Sequence, residues 1–267
     1  MSARSYLYVP ADRPEMLAKA GERGADALIV DLEDAVAPSR KLEARRILAD
    51  FLPGSAETWV RVNNHPGLLA DDLAASAGAA GIVLAKAEPE SLSQVVSMTP
   101  LPLTPLIETA AGLLAAVEMA SVEGVERLAI GEADLSAELG VTLGADGVEM
   151  LYARSKLVVA SSAAGIDAPT GPVFTDFRDA DGLRRSSEAL VQLGFGSRPA
   201  IHPAQVEAIN EAFTPTAAQL AAARQLMEAF EDALAAGAGA AASDGVMFDA
   251  AVVRQAQRVL DRSRSAP

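Results

Sequence analysis

The chain has 267 residues, half of them hydrophobic, with 22 basic side chains against 36 acidic ones and a formal net charge of −14. That balance argues against non-specific binding to nucleic acid or to an anionic membrane. The absence of cysteine excludes disulfides, thiolate metal sites and cysteine nucleophiles, and two histidines leave almost no material for a histidine metal site or a Ser-His-Asp triad.

Eight strand-like apolar runs follow in chain order, at residues 5–9, 27–32, 58–62, 81–84, 103–107, 127–130, 171–174 and 199–201. Helical patterns fall between them, among them residues 14–22, 39–50, 112–120, 151–164, 183–193 and 205–211. Strands alternating with helices predict a parallel sheet with crossover helices, and eight such units predict closure into a (β/α)8 TIM barrel over residues 1–215. The seventh run is interrupted by Pro169, Gly171 and Pro172. An open doubly wound sheet would want a glycine-rich turn after the first strand, and Val9-Pro10-Ala11-Asp12-Arg13-Pro14 is not one.

Residues 216–267 change character and predict a C-terminal helical extension. A helix at 217–234 precedes a small-residue stretch at 235–245, expected to be a flexible linker, and an amphipathic helix at 250–262, expected to dock as an arm. No apolar run approaches the ~18 residues of a membrane span, and the N-terminus has no signal-like apolar block. A cytoplasmic enzyme is therefore expected.

Four charged side chains sit at or just past the strand-like runs: Arg61, Lys86, Glu108 and Asp134. In a parallel barrel such positions point into one mouth. Two carboxylates from successive strands repel each other and resist desolvation unless a cation joins them. Magnesium suits the pair, because one or two carboxylates commonly hold it while waters and substrate fill its remaining positions. Glu132 competes with Asp134 as the second donor, and spacing does not decide between them. Arg61 can fork onto a carboxylate or stabilise an enolate oxygen, or form an ion pair with Asp31, Glu33 or Asp34, and these roles can coexist. Lys86 is either an orienting charge or a site contact, and His202 is expected to pack and hydrogen-bond at a strand end.

The segments Ser5-Tyr6-Leu7-Tyr8-Val9-Pro10, Val30-Asp31-Leu32-Glu33-Asp34, Leu106-Ile107-Glu108-Thr109, Gly131-Glu132-Ala133-Asp134 and Ala200-Ile201-His202-Pro203 occur in this order. Together they resemble the citrate lyase β-subunit-like proteins, the acyl-CoA lyase branch of the HpcH/HpaI aldolase/citrate lyase superfamily. The resemblance implies a Mg2+-dependent carbon–carbon lyase acting on a malyl-, citramalyl- or citryl-type CoA thioester. It implies Glu108 and Asp134 as metal ligands, Arg61 as the substrate arginine, and Tyr8 and Lys19 as contacts to the CoA part. Val246-Met247-Phe248-Asp249 is similar to a C-terminal motif whose aspartate enters a neighbouring subunit, which implies Asp249 as acid/base in trans and a homotrimer or hexamer. Two alternatives accompany it: a lyase subunit using an acyl-carrier-protein thioester, and a CoA-ester-binding homologue without turnover. The chain departs from the family pattern at Ala85 before Lys86, at Glu15, in Ala168-Pro169-Thr170-Gly171, and at Ser197-Arg198.

Overall fold

The computed structural model describes residues 3–144, 146–235, 241–243, 246–248 and 250–264. The chain divides into two compact units, Arg4–Phe213 and Thr214–Pro267, the second taking in Met1–Ala3.

In the larger unit the strands are β1 (Ser5–Pro10), β2 (Ala27–Asp31), β3 (Thr58–Val62), β4 (Gly81–Leu84), β5 (Leu103–Ile107), β6 (Ala129–Ile130) and β7 (Arg198–Ala200). They form one parallel, curled seven-stranded sheet in the order β6-β5-β4-β3-β2-β1-β7. The helices between them are α1 (Pro14–Ala20), α2 (Lys41–Phe51), α3 (Leu69–Ala75), α4 (Pro89–Met98), α5 (Ala110–Leu114), α6 (Ala116–Ala120), α7 (Glu132–Leu139), α8 (Leu151–Ala164), α9 (Ala180–Leu193) and α10 (Val206–Phe213). The helical patterns named above do not include α3, α4 or α7. Proline at N1 with the Glu88–Ser91 capping box was the local signal for α4.

Alternation along each strand sorts the side chains into two sets. Leu7, Val30, Val60, Leu84 and Ile107 face outward and pack with Leu48, Leu92 and Leu157 of the helices in one buried core. Each such side chain, fully buried, contributes about 1.5–3 kcal/mol. The alternate positions, including Tyr8, Asp31, Arg61, Val83 and Leu106, line a single internal cavity. The helices thus hold the sheet from outside and leave its inner face free for polar groups.

The expected seventh strand at 171–174 is absent. Pro169 and Pro172 carry no N–H and cannot donate to a ladder, so pairing contracts to isolated bridges at Thr170. Thr170 pairs in parallel with both Ala129 and Ser197. Its N–H donates to the Leu128 carbonyl at 2.9 Å, and the Gly171 N–H donates to the Ser197 carbonyl at 2.8 Å. A buried Thr170–Ser197 hydroxyl contact of 2.8 Å adds to these.

In the smaller unit, α11 (Ala217–Ala235) and α12 (Ala250–Arg264) pack together, with an antiparallel hairpin of β8 (Ala241–Ser243) and β9 (Val246–Phe248) between them in sequence. The linker expected at 235–245 is therefore corrected in part, because Ala241–Ser243 finds backbone partners in Val246–Phe248.

Candidate active site

The inner face carries its charges near the C-terminal ends of β2, β3 and β5, around a cavity of about 360 Å³. The β2–β3 register sets Asp31 beside Arg61. Arg61 forks onto Asp31, Nε to Oδ1 at 2.8 Å and Nη2 to Oδ2 at 2.6 Å, while Nη1 lies 3.4 Å from Glu33 Oε2. Asp31 also accepts the N–H groups of Glu33 (2.8 Å) and Ala35 (3.0 Å), which turns the chain after β2 and brings Glu33 to the guanidinium. Arg61 therefore makes the ion pair foreseen with Asp31 while it also lines the cavity. Burial works against its charge, but the Asp31 hydrogen bonds and the fields of Tyr8, Asp31 and Glu33 outweigh it and hold the group above its ordinary range. Tyr8 lies beneath, its ring 5.1 Å from the guanidinium carbon. Burial raises the phenol above its usual range despite Arg61, so Tyr8 presents a neutral O–H.

Glu108 follows β5 and is 4 % exposed. Its Oε2 accepts the Lys86 N–H at 3.0 Å, and no other hydrogen bond reaches it among the described residues. Burial pushes its pKa up to about 7, partly offset by the Lys86 hydrogen bond and the Arg61 and Lys86 charges. A carboxylate in that condition is short of positive charge. Gly131 makes room for it: a Cβ at 131 would stand 2.4 Å from both Cγ and Oε1 of Glu108. Gly131→Ala is expected to displace Glu108 and weaken divalent-cation binding about 10-fold, with the far-ultraviolet circular dichroism unchanged. Calorimetric titration checks this.

Glu132 and Asp134 differ in their partners. Arg154 forks onto Glu132 at 2.5 and 2.7 Å and so occupies that carboxylate. The side chain of Asp134, in the first turn of α7, makes no hydrogen bond or ion pair among the described residues and lines the same cavity as Glu108. Among the described residues no three histidine, aspartate or glutamate side chains gather to enclose a metal. What remains is a pair of carboxylates, the donor set of a hard divalent ion that keeps several other oxygen ligands.

The chain matches the HpcH/HpaI aldolase/citrate lyase family over residues 4–203. The chain belongs to that family. It is 34% identical to the mitochondrial citramalyl-CoA lyase of Rattus norvegicus, over 98% of this chain and 86% of the relative. It is 35% identical to a (3S)-malyl-CoA thioesterase of Cereibacter sphaeroides, over 98% and 95%. Its fold superposes on the crystal structure of Mycobacterium tuberculosis CitE in complex with magnesium, acetoacetate and coenzyme A, with a TM-score of 0.86, 34% identity and 99% coverage of both chains. The protein is a lyase of this family.

Other expected site residues fall as follows. Lys19 is exposed on α1 and does not line the cavity, but it follows Met16, a mouth residue, by three positions and shares its helical face. His202 caps the turn at Pro203–Gln205, its Nδ1 accepting the Ala204 N–H at 3.1 Å, and stacks on Phe177 with ring centroids 4.8 Å apart. Asp249 lies outside the described residues. The sequence reading missed Gly131 and Arg154. A glycine between a strand end and an acidic helix start was the available signal for Gly131, whereas nothing local points from Arg154 to a residue 22 positions earlier.

Proposed function

We propose that this chain is a magnesium-dependent carbon–carbon lyase that cleaves a 3-hydroxyacyl-CoA of malyl, citramalyl or citryl type to a 2-oxo acid and acetyl-CoA, or condenses them in reverse. The observation that carries the reading is the arrangement of one cavity. Two carboxylates without cationic side-chain forks, Glu108 and Asp134, share it with a guanidinium anchored from behind. The names of the relatives, and the magnesium and coenzyme A bound by CitE, support it.

Glu108 and Asp134 would hold the ion, which supplies Lewis acidity toward an alcohol and a 2-oxo acid. The first-turn N–H groups of α7 have no acceptors within their helix and offer a seat for the substrate carboxylate. Loss of the hydroxyl proton to the Asp249 carboxylate lets the carbon–carbon bond break, and the electron pair passes to the thioester as an enolate. Arg61 donates to that oxygen, with its geometry set by Asp31. Asp249 of a neighbouring subunit, in a homotrimer or a multiple of it, gives the enolate carbon its proton. Tyr8, beneath Arg61, meets the thioester end of the CoA part, and Lys19 meets its anionic part outside the mouth. We read residues 1–215 as the catalytic barrel, with the segment around Thr170 as its eighth stave, and residues 216–267 as the extension that reaches the neighbour.

Incubating the full chain with Mg2+ and several 3-hydroxyacyl-CoA esters tests this. The expected products are acetyl-CoA and a 2-oxo acid, lost on chelation and regained with added magnesium. Release of free CoA thiol with the hydroxy acid intact would instead mark a thioesterase and overturn the lyase reading. Asp249→Ala should lose turnover while binding magnesium normally.

A further inference from the structure

Lys86 stands where a glycine would be expected. Among the described residues it is the one non-glycine with a left-handed backbone, φ +46°, a conformation that is strained for any side chain. Its neighbours continue the sheet to either side. The Ala85 N–H donates to the Val62 carbonyl of β3 at 3.4 Å, and the Ala87 N–H donates to the Leu106 carbonyl of β5 at 3.1 Å. The left-handed step between them takes the Lys86 N–H out of the ladder and aims it at Glu108 Oε2.

The rest of the residue is clamped. Its carbonyl accepts from Asn64 Nδ2 at 2.8 Å. Its Nζ lies 2.5 Å from Glu33 Oε1 and 3.2 Å from Asp34 Oδ2. Glu33 in turn faces Arg61. Backbone strain of this kind persists only where surrounding contacts outweigh it. Here the ion pairs supply those contacts, and a glycine, which needs none, would not.

We propose that Lys86 is a positioning residue: its ion pairs with Glu33 and Asp34 hold the strained turn whose N–H sets the Glu108 carboxylate toward the cation site. The residue thereby joins the arginine half of the mouth to the carboxylate half. This rests on the reading of Glu108 and Asp134 as ligands.

Two measurements test it without substrate. In calorimetric titration with Mg2+, Lys86→Ala is expected to bind about 10-fold more weakly than the unaltered chain. Lys86→Gly should lose less, since glycine adopts the turn freely and keeps the N–H. An alanine variant equal to the unaltered chain overturns the proposal. So does equal loss in alanine and glycine, which would mean that the ammonium acts without the turn. The second measurement needs no metal: the Lys86 amide resonance in lysine-labelled protein should shift on Glu108→Gln. A resonance that stays in place overturns the proposal. If the unaltered chain bound no magnesium, the ligand reading would fail, and the amide resonance would still decide the role of Lys86.

Discussion

Glu108→Gln should abolish carbon–carbon cleavage, with turnover down by at least ~1,000-fold, since a Lewis acid contributes several kcal/mol of charge stabilisation. Loss of an outer-shell partner alone weakens metal binding about 10–100-fold, so removing a ligand's charge should exceed that range. The substitution has a second signature in metal-free protein. The folded pKa of Glu108 stands near 7 against an ordinary 4.5, so the native state holds a proton that the unfolded chain has released between those values. Stability attached to this group is present below about pH 4.5 and is lost as pH rises through about 7, a difference of ~3 kcal/mol. Glutamine has no such proton. In chelator, the melting temperature of the unaltered chain should therefore fall, relative to Glu108→Gln, between pH 4.5 and pH 8. Added magnesium should restore the unaltered chain alone. Parallel melting curves for the two proteins across that range would remove the assignment of Glu108 as a desolvated ligand.

Arg61→Met is expected to destabilise the chain by ~3–5 kcal/mol, because Asp31, 1 % exposed, loses the cation that forks onto it. For a domain of this size that corresponds to a melting temperature lower by about 10 °C. Arg61→Lys retains a charge but not the two-pronged geometry, so it should keep more of the stability and little of the turnover. Adding Asp31→Asn to Arg61→Met should recover stability without recovering activity. Recovery of turnover in that double variant would show Arg61 to be a structural partner of Asp31 and nothing more. Thermal melts and the thioester assay on the three variants separate these outcomes.

Much of the architecture was legible in the chain itself. The runs at β3, β4 and β5 are short, apolar and bounded by turn residues, and their limits in the structure match those read from the sequence. Arg61, Glu108 and Asp134 were legible because each is a charge at or just beyond an apolar run. The helix α7 was not, since Glu132-Ala133-Asp134-Leu135 follows Gly131 with no capping side chain. Asp134 thus belongs to a helix's first turn. The stretch at 171–174 read as a strand from its apolar content, but Pro169 and Pro172 limit pairing there to Thr170.

Periodicity and charge placement along the chain determined which residues face a common mouth, because strand alternation is a local property of the backbone. Tertiary structure alone decided which acid is free and which is taken. Arg154 reaches Glu132 from α8, Asp31 anchors Arg61 across the β2–β3 register, and the Lys86 N–H leaves the ladder for Glu108. Each of these depends on groups brought together from 22 or more positions apart, and at that separation only packing can choose the partner.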